Sequence, residues 1–144
     1  MYTVKQVSEM MNISPHTVRY YDKEALFPYL ERGENQARLF SDEDLLWVQL
    51  VQCLRSTGMP LDDIRHYIDL CIEGDSTIAE RHAIIVKQKE KAELEAVAAQ
   101  ERVKLLEQKV TFYQDLLDGK SLEDSCNPTY VKAGPLQMNG YQAF

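Results

Sequence analysis

The sequence predicts a mainly α-helical protein, in which a small unit of short helices and a two-stranded wing is followed by one long helix. Three observations support this prediction. Helix-start signals precede five apolar segments with helical spacing, the first two of these segments are short and joined by a tight turn, and a seven-residue apolar repeat occupies residues 78–117.

The first helix begins with the capping box Thr3-x-x-Gln6, in which each side chain binds the backbone of the other residue. Residues 12–15 then supply a turn, because Ser14 can cap a new helix and Pro15 is preset for its first position. This second helix should run through Glu24. We expect its inward face to consist of Val18, Tyr21 and Ala25. Its outer surface would then hold His16, Thr17, Arg19, Tyr20 and Lys23.

Two short helices of this kind, with arginine and tyrosine outward on the second, describe a helix-turn-helix whose second helix enters the major groove of DNA. A structural helical hairpin is the alternative, and the pattern alone does not exclude it. Residues 26–30 and 36–40 are short β-prone segments around the turn residues 31–35, and they predict the two strands of a wing.

Two connecting helices should follow the wing. Ser41-x-x-Asp44 caps the third helix, which ends at Gly58, and Pro60 opens the fourth, which ends at Gly74. The core side of the third helix is expected to consist of Leu45, Val48, Val51 and Leu54.

A single long helix should run from the capping pair Thr77-x-x-Glu80 to Leu117, with Gly119 as its stop. At 1.5 Å per residue it would be about 60 Å long, too long to bury its apolar stripe within so small a chain, so we expect it to pair with a second copy. A solvated helix is the alternative, because His82 and Lys89 interrupt the repeat. The expected dimerisation residues are Ile78, Ile85, Ala92, Ala99, Val103, Leu106, Val110 and Tyr113.

Composition narrows the class of protein. The 144 residues suffice for one domain, or for a small domain with an appendage. We expect a cytoplasmic protein with no membrane association, because no apolar stretch approaches the roughly 20 residues of a membrane span and the first residues do not form a secretory signal. The three cysteines, Cys53, Cys71 and Cys126, are odd in number and form no C-x-x-C pair, which argues against a disulfide scaffold and a zinc site.

The net charge of -7 argues at first against a nucleic-acid partner. The acidic excess, however, lies entirely in residues 41–144, whereas residues 1–40 hold five basic and five acidic side chains. Because salt screens charges beyond about 10 Å, an acidic remote half does not forbid DNA binding by the first half.

These residues together resemble the MerR family of bacterial transcription regulators over about residues 1–117. The matching segments are Tyr2-Thr3-Val4-Lys5-Gln6-Val7, Ser14-Pro15-His16-Thr17-Val18-Arg19-Tyr20-Tyr21-Asp22-Lys23, Leu26-Phe27-Pro28, Arg38-Leu39-Phe40-Ser41, Asp44-Leu45, and Ser56-Thr57-Gly58-Met59-Pro60-Leu61 with Ile64.

The resemblance implies a winged helix-turn-helix DNA-binding domain with connecting helices over residues 1–74, a dimerisation helix forming an antiparallel coiled coil over 75–118, and an irregular tail over 119–144. Such homodimers bend and untwist promoter DNA when a signal arrives, so that RNA polymerase can engage promoter elements that are set too far apart. We expect no enzymatic activity and no cofactor. A coiled-coil adaptor that has lost DNA binding is the alternative, for which Ala37 and Glu31 depart from the family pattern.

Matched position by position, Arg19 and Tyr20 correspond to the family's recognition-helix contacts and Arg38 to its wing arginine. His16 and Thr17, near the start of the helix, are better placed for base edges. Lys23 is equally consistent with a phosphate contact and with solvated surface.

The family also suggests what is sensed. Its metal-sensing branches use cysteines in the dimerisation helix and the loop after it, but residues 77–117 contain none, and the 27 residues after Leu117 are too few for the ligand domain of the multidrug branches. Cys53 resembles the lone cysteine of the branch that responds to aldehydes and other electrophiles. A buried structural cysteine is the alternative, because Leu46, Leu50 and Cys53 share a helical face; a metal- or small-ligand-responsive regulator also remains open. We expect Cys71 in the core and Cys126 in an exposed stretch.

Overall fold

The computed structural model describes residues 1–120 and confirms a mainly helical chain. The chain forms two compact units, Met1–Ala92 and a second that begins at Glu93. The elements in order are β1 (Tyr2–Thr3), α1 (Val4–Met11), α2 (Pro15–Lys23), β2 (Glu31–Arg32), a 3-10 turn (Glu34–Gln36), β3 (Arg38–Phe40), α3 (Asp42–Ser56), α4 (Leu61–Glu73), a second 3-10 turn (Asp75–Thr77) and α5 (Ile78–Leu117).

The helix-start signals of α1, α2 and α3 act as the sequence predicts. The Gln6 N–H donates to the Thr3 hydroxyl, and the Gln6 carboxamide oxygen accepts from the Thr3 N–H at 2.9 Å, which closes the capping box of α1. The Thr17 N–H donates to Ser14 Oγ at 3.0 Å at the start of α2, and Ser41 forms a capping box with Asp44 on α3. Each cap satisfies amide groups that the first helical turn leaves without a partner.

The wing differs from the prediction. Its strands are β2 and β3, and β1 joins them in a three-stranded antiparallel sheet of order β1-β3-β2, with Tyr2 opposite Phe40 and Glu31 opposite Leu39. The predicted strand over residues 26–30 is wrong, because Leu26 and Phe27 are consecutive and both buried, whereas a strand on a one-sided sheet turns alternate side chains inward.

The predicted inward position of Ala25 is also wrong. Ala25 is exposed and has a φ of 58°, a left-handed conformation that ends α2 and reverses the chain. Leu26 follows it into the core, where the ring of Phe27 meets that of Phe40 edge-on at a centroid distance of 5.6 Å.

One hydrophobic core holds α1 to α4 and the sheet together. The predicted inward residues of α2 and α3 that it contains are Val18, Tyr21, Leu45, Val48, Val51 and Leu54. Ile84, on the first turns of α5, packs against the same core. The sheet is tied to α3 by the Tyr2 hydroxyl, which donates to Asp42 Oδ1 at 2.8 Å; this bond and the neighbouring negative charge raise the pKa of Tyr2.

The long helix is present as predicted, and Gly119 follows it with a φ of 72°. The predicted capping pair Thr77-x-x-Glu80 is wrong, because Thr77 lies in the 3-10 turn before α5 and its hydroxyl donates to the carbonyls of Leu70 and Gly74. The expected dimerisation side chains are exposed along α5, except for Ala99, which is half-buried. No helix within residues 1–120 is both long and apolar enough to cross a membrane. Cys126 and the predicted tail beyond residue 120 lie outside the described residues.

Candidate DNA-binding surface

Helix α2 and the wing enclose an open groove of about 520 Å³ on one face of the N-terminal unit. Its lining residues are His16, Arg19, Tyr20, Asp22, Lys23, Arg32 and Arg38. Five of the six residues that the sequence predicts to face DNA therefore meet in one groove. The sixth, Thr17, is not part of its lining, and its hydroxyl lies 2.8 Å from Ser14 Oγ within the cap of α2.

A buried carboxylate joins the recognition helix to the wing. The side chain of Asp22 is 8% exposed and accepts hydrogen bonds from Arg32 Nη2 at 2.8 Å and from Arg38 Nε at 2.5 Å. Charge-assisted bonds of this kind are about twice as strong as neutral ones. Asp22 therefore sets the positions of both wing guanidinium groups relative to α2.

Two further cations of the groove, Arg19 and Lys23, are exposed and form no ion pair within the described part of the chain. Tyr20 is also exposed, with its ring 6.2 Å from that of Tyr21, whose own side chain lies in the core as predicted. With four permanent cations against one carboxylate, the groove is cationic although the chain is acidic. Such a surface attracts a phosphate backbone.

Arg32 and Asp22 are the members of this surface that the sequence did not reveal. Arg32 falls in the segment predicted as a turn, but in the sheet it lies opposite Arg38. Two like charges opposite each other destabilise a strand pair, so a counter-charge is needed there. Asp22 supplies this negative charge, although it precedes Arg32 by 10 residues and Arg38 by 16 in the chain. Only the register of the wing reveals that the three side chains are close in space.

The cysteines are placed differently from each other. Cys53 is exposed on α3, and of the two leucines on the same helical face, Leu46 is exposed and Leu50 is half-buried. The alternative of a buried structural cysteine is therefore wrong for this chain. Cys71 is half-buried rather than fully in the core, and Arg81 Nη1 lies 3.8 Å from its sulfur. Within residues 1–120, no three His, Cys, Asp or Glu side chains are grouped as a metal site requires.

Two short capped helices, with a cationic outer face on the second and a small β-wing beside it, define a winged helix-turn-helix DNA-binding protein. Comparison with known proteins agrees. The pattern of the MerR HTH family regulatory proteins matches residues 2–71. An uncharacterised HTH-type transcriptional regulator of Haemophilus influenzae is 41% identical over 113 residues, which are 78% of this chain and 84% of that protein.

Solved structures extend the similarity to the long helix. HiNmlR, described as a MerR family regulator lacking the sensor domain and bound to promoter DNA, is 39% identical with a TM-score of 0.68, over 83% of this chain and 95% of that one. A MerR family regulator from Listeria monocytogenes is 28% identical with a TM-score of 0.71, over 83% and 90% of the two chains. The chain belongs to the MerR family and is a DNA-binding transcriptional regulator.

The role of Asp22 can be tested by Asp22→Asn. The change removes a negative charge from the groove and releases two guanidinium groups, so affinity for random-sequence duplex DNA at low salt should rise by about twofold to fivefold. The free energy of unfolding should fall by about 1 kcal/mol, since the two arginines remain partly solvated. Fluorescence anisotropy and urea unfolding measure the two effects.

Glu9→Gln is the matched control, because it removes an exposed carboxylate on α1 that lies 4.0 Å from Lys5 and outside the groove. Equal effects of the two substitutions would contradict the role assigned to Asp22.

Proposed function

We propose that this regulator acts as a homodimer that lays α2 in the major groove of promoter DNA and the wing on the adjacent backbone. The observation that carries the proposal is the groove in which Arg19, Tyr20 and Lys23 of α2 meet Arg32 and Arg38 of the wing. The similar protein HiNmlR was solved bound to promoter DNA, which supports the same use of this surface.

Along α2 and the wing the roles divide by chemistry. The guanidinium, ammonium and phenol groups of Arg19, Lys23, Tyr20 and Arg38 suit phosphate and sugar contacts, which fix the register of the helix on the duplex. His16 and Thr17 lie in the first turn of α2, the part of a recognition helix that approaches base edges. Sequence preference should therefore come from the start of α2.

The contact assigned to Arg19 predicts that Arg19→Ala weakens binding to specific and random duplexes alike. We expect about a tenfold loss at moderate salt, and a fall of about 1 in the slope of log K against log salt, as for the loss of one phosphate contact. Arg55→Ala, which removes an arginine of α3 that does not line the groove, is the control. Unchanged affinity of the Arg19 variant in a gel-shift titration would exclude the proposed docking.

The second copy is proposed from the exposed apolar side chains of α5. Ile78, Ile85, Leu106 and Val110 recur at heptad spacing and are exposed, so a single chain leaves this stripe in water. Ala92 and Ala99 in the middle of the stripe would let two helices approach closely. Pairing two antiparallel α5 helices buries the stripe and holds two recognition helices at a fixed separation.

A glutamate in the stripe tests the dimer. Leu106→Glu would bury an unpaired charge from each copy and should raise the dimer dissociation constant by roughly a hundredfold. Leu94→Glu is the matched control, since Leu94 is 72% exposed and outside the heptad stripe. Sedimentation equilibrium should show a monomer for the first variant only; two variants that dimerise equally would contradict the proposed pairing.

In the cell, the dimer would act in the cytoplasm on promoters that it shares with RNA polymerase, bending and untwisting the DNA between the two polymerase-recognition elements. This is control through DNA shape, in which the regulator supplies deformation energy and the polymerase reads the sequence. The signal would be modification of Cys53 by an aldehyde or another electrophile. The exposure of the Cys53 thiol supports this choice.

Cys53→Ser tests the signal. It should abolish the transcriptional response of a reporter to an added electrophile, because a hydroxyl does not replace the nucleophilic thiolate, while promoter binding stays within about twofold of the wild type. Cys71→Ser, which removes the half-buried thiol on α4, should leave the response intact. A Cys53 variant that still responds fully would show that the thiol is not the sensor.

A further inference from the structure

Arg65, on the first half of α4, makes polar contacts to the end of the recognition helix. Its Nε donates to the backbone carbonyl of Glu24 at 2.9 Å, and its Nη2 lies 3.1 Å from the Glu24 carboxylate. Its Nη1 donates to Asp62 Oδ1 at 2.8 Å, one turn back on α4. All three nitrogens of the Arg65 guanidinium thus form hydrogen bonds, with Glu24 on one side and Asp62 on the other.

Glu24 is the C-cap of α2, and the helix cannot continue beyond it because Ala25 adopts a left-handed conformation. The last carbonyl groups of a helix have no partner within the helix and carry its partial negative charge. A guanidinium bound to the Glu24 carbonyl satisfies one of them and complements that charge. The contact therefore acts on the backbone of α2 as well as on a surface side chain.

The two contacts to Glu24 fix its orientation as well as its distance from α4. A rigid guanidinium that binds the main-chain and side-chain oxygens of one residue restricts the rotation of that residue as well as its separation from α4. An ammonium group is a point charge on a flexible stem and cannot impose the same restriction.

The other end of α4 leads into α5. Gly74, with a φ of 106°, ends α4, and a short 3-10 turn connects it to the first residue of α5. Arg81, on that first part of α5, donates to the Gly74 carbonyl at 3.3 Å and to the Thr77 hydroxyl at 3.0 Å. These bonds tie the first part of α5 to the end of α4.

We propose that Arg65 is a positioning residue for DNA recognition: it couples α4, and through it the start of the dimerisation helix, to the C-terminal end of α2. The inference rests on the proposed docking of α2 in the major groove. Arg65 does not line the DNA-facing groove and would act through Glu24 on the orientation of α2, and thereby of His16 and Thr17, the residues proposed for base contacts.

The experiment measures sequence discrimination with the full-length protein. A duplex is selected by the wild type from a random library, and its affinity is divided by that of the same duplex with both half-sites scrambled. The variants are Arg65→Gln, Arg65→Lys and Glu24→Ala. Arg55→Gln is the matched control, since Arg55 also donates to a main-chain carbonyl, that of Met59 at 3.2 Å, but does not touch α2.

A displaced α2 loses base contacts while the non-specific phosphate attraction persists. We expect Arg65→Gln to lower the discrimination ratio by about tenfold, the size of one disturbed base contact, and Arg65→Lys and Glu24→Ala to lower it by about threefold. The scrambled duplex should bind all variants within about twofold of the wild type, and the control should keep the wild-type ratio. A purely stabilising role would change the thermal midpoint and leave the ratio, measured well below that midpoint, unaltered.

The inference is overturned if Arg65→Lys and Glu24→Ala keep the wild-type ratio, a comparison that stands even where Arg65→Gln does not fold. It is also overturned if the Arg55 control loses discrimination equally. A wild type that selects no duplex refutes the DNA docking itself and the inference with it, whereas a discriminating wild type with unaffected variants refutes the positioning role alone.

Discussion

The proposed DNA-facing surface depends on the burial of one face of α2. Val18 and Tyr21, three residues apart, are held in the core together with Leu26 just beyond the helix. Because the helix has 3.6 residues per turn, anchoring these positions forces His16, Arg19, Tyr20 and Lys23 to the opposite side. Asp22 lies at the boundary between the two faces, where its carboxylate is nearly buried yet reaches both wing arginines. The same packing thus creates the proposed recognition face and ties the wing to it.

The parts of this arrangement that sequence alone predicts are those set by local chemistry. Thr3 with Gln6 and Ser41 with Asp44 are capping boxes whose partners lie three residues away, and Ser14 caps α2 by accepting from the Thr17 N–H, so these three helix starts follow from a few adjacent residues. The heptad spacing of α5 is equally local, and Arg19, Tyr20 and Lys23 follow from helical periodicity once α2 is located.

The wing is the part of the fold that local sequence patterns do not predict correctly. Residues 26–30 have β-prone side chains, but Leu26 and Phe27 are recruited into the core by residues distant in the chain, and tertiary burial overrides local preference. Ala25 stands in a left-handed conformation that glycine or asparagine would have signalled. The pairing of Arg32 with Arg38, and hence the need for Asp22, depends on strand register, which the short polar segment 31–36 does not determine.

The net charge of the chain gives a physical reason to propose that two copies bind DNA together. One groove offers four permanent cations on a chain whose net charge is -7, so a single domain should bind DNA weakly. Linking two such grooves makes the second contact intramolecular and can multiply affinity by roughly 10² to 10⁴, provided that both grooves reach their half-sites at once. A stiff dimer meets that condition only where the half-sites match its spacing, and otherwise the DNA must deform at a cost of order 1–6 kcal/mol. That cost is similar to the loss of one or two base contacts. In the proposed dimer, a small reorientation of α2 is therefore enough to decide whether the promoter is held straight or distorted.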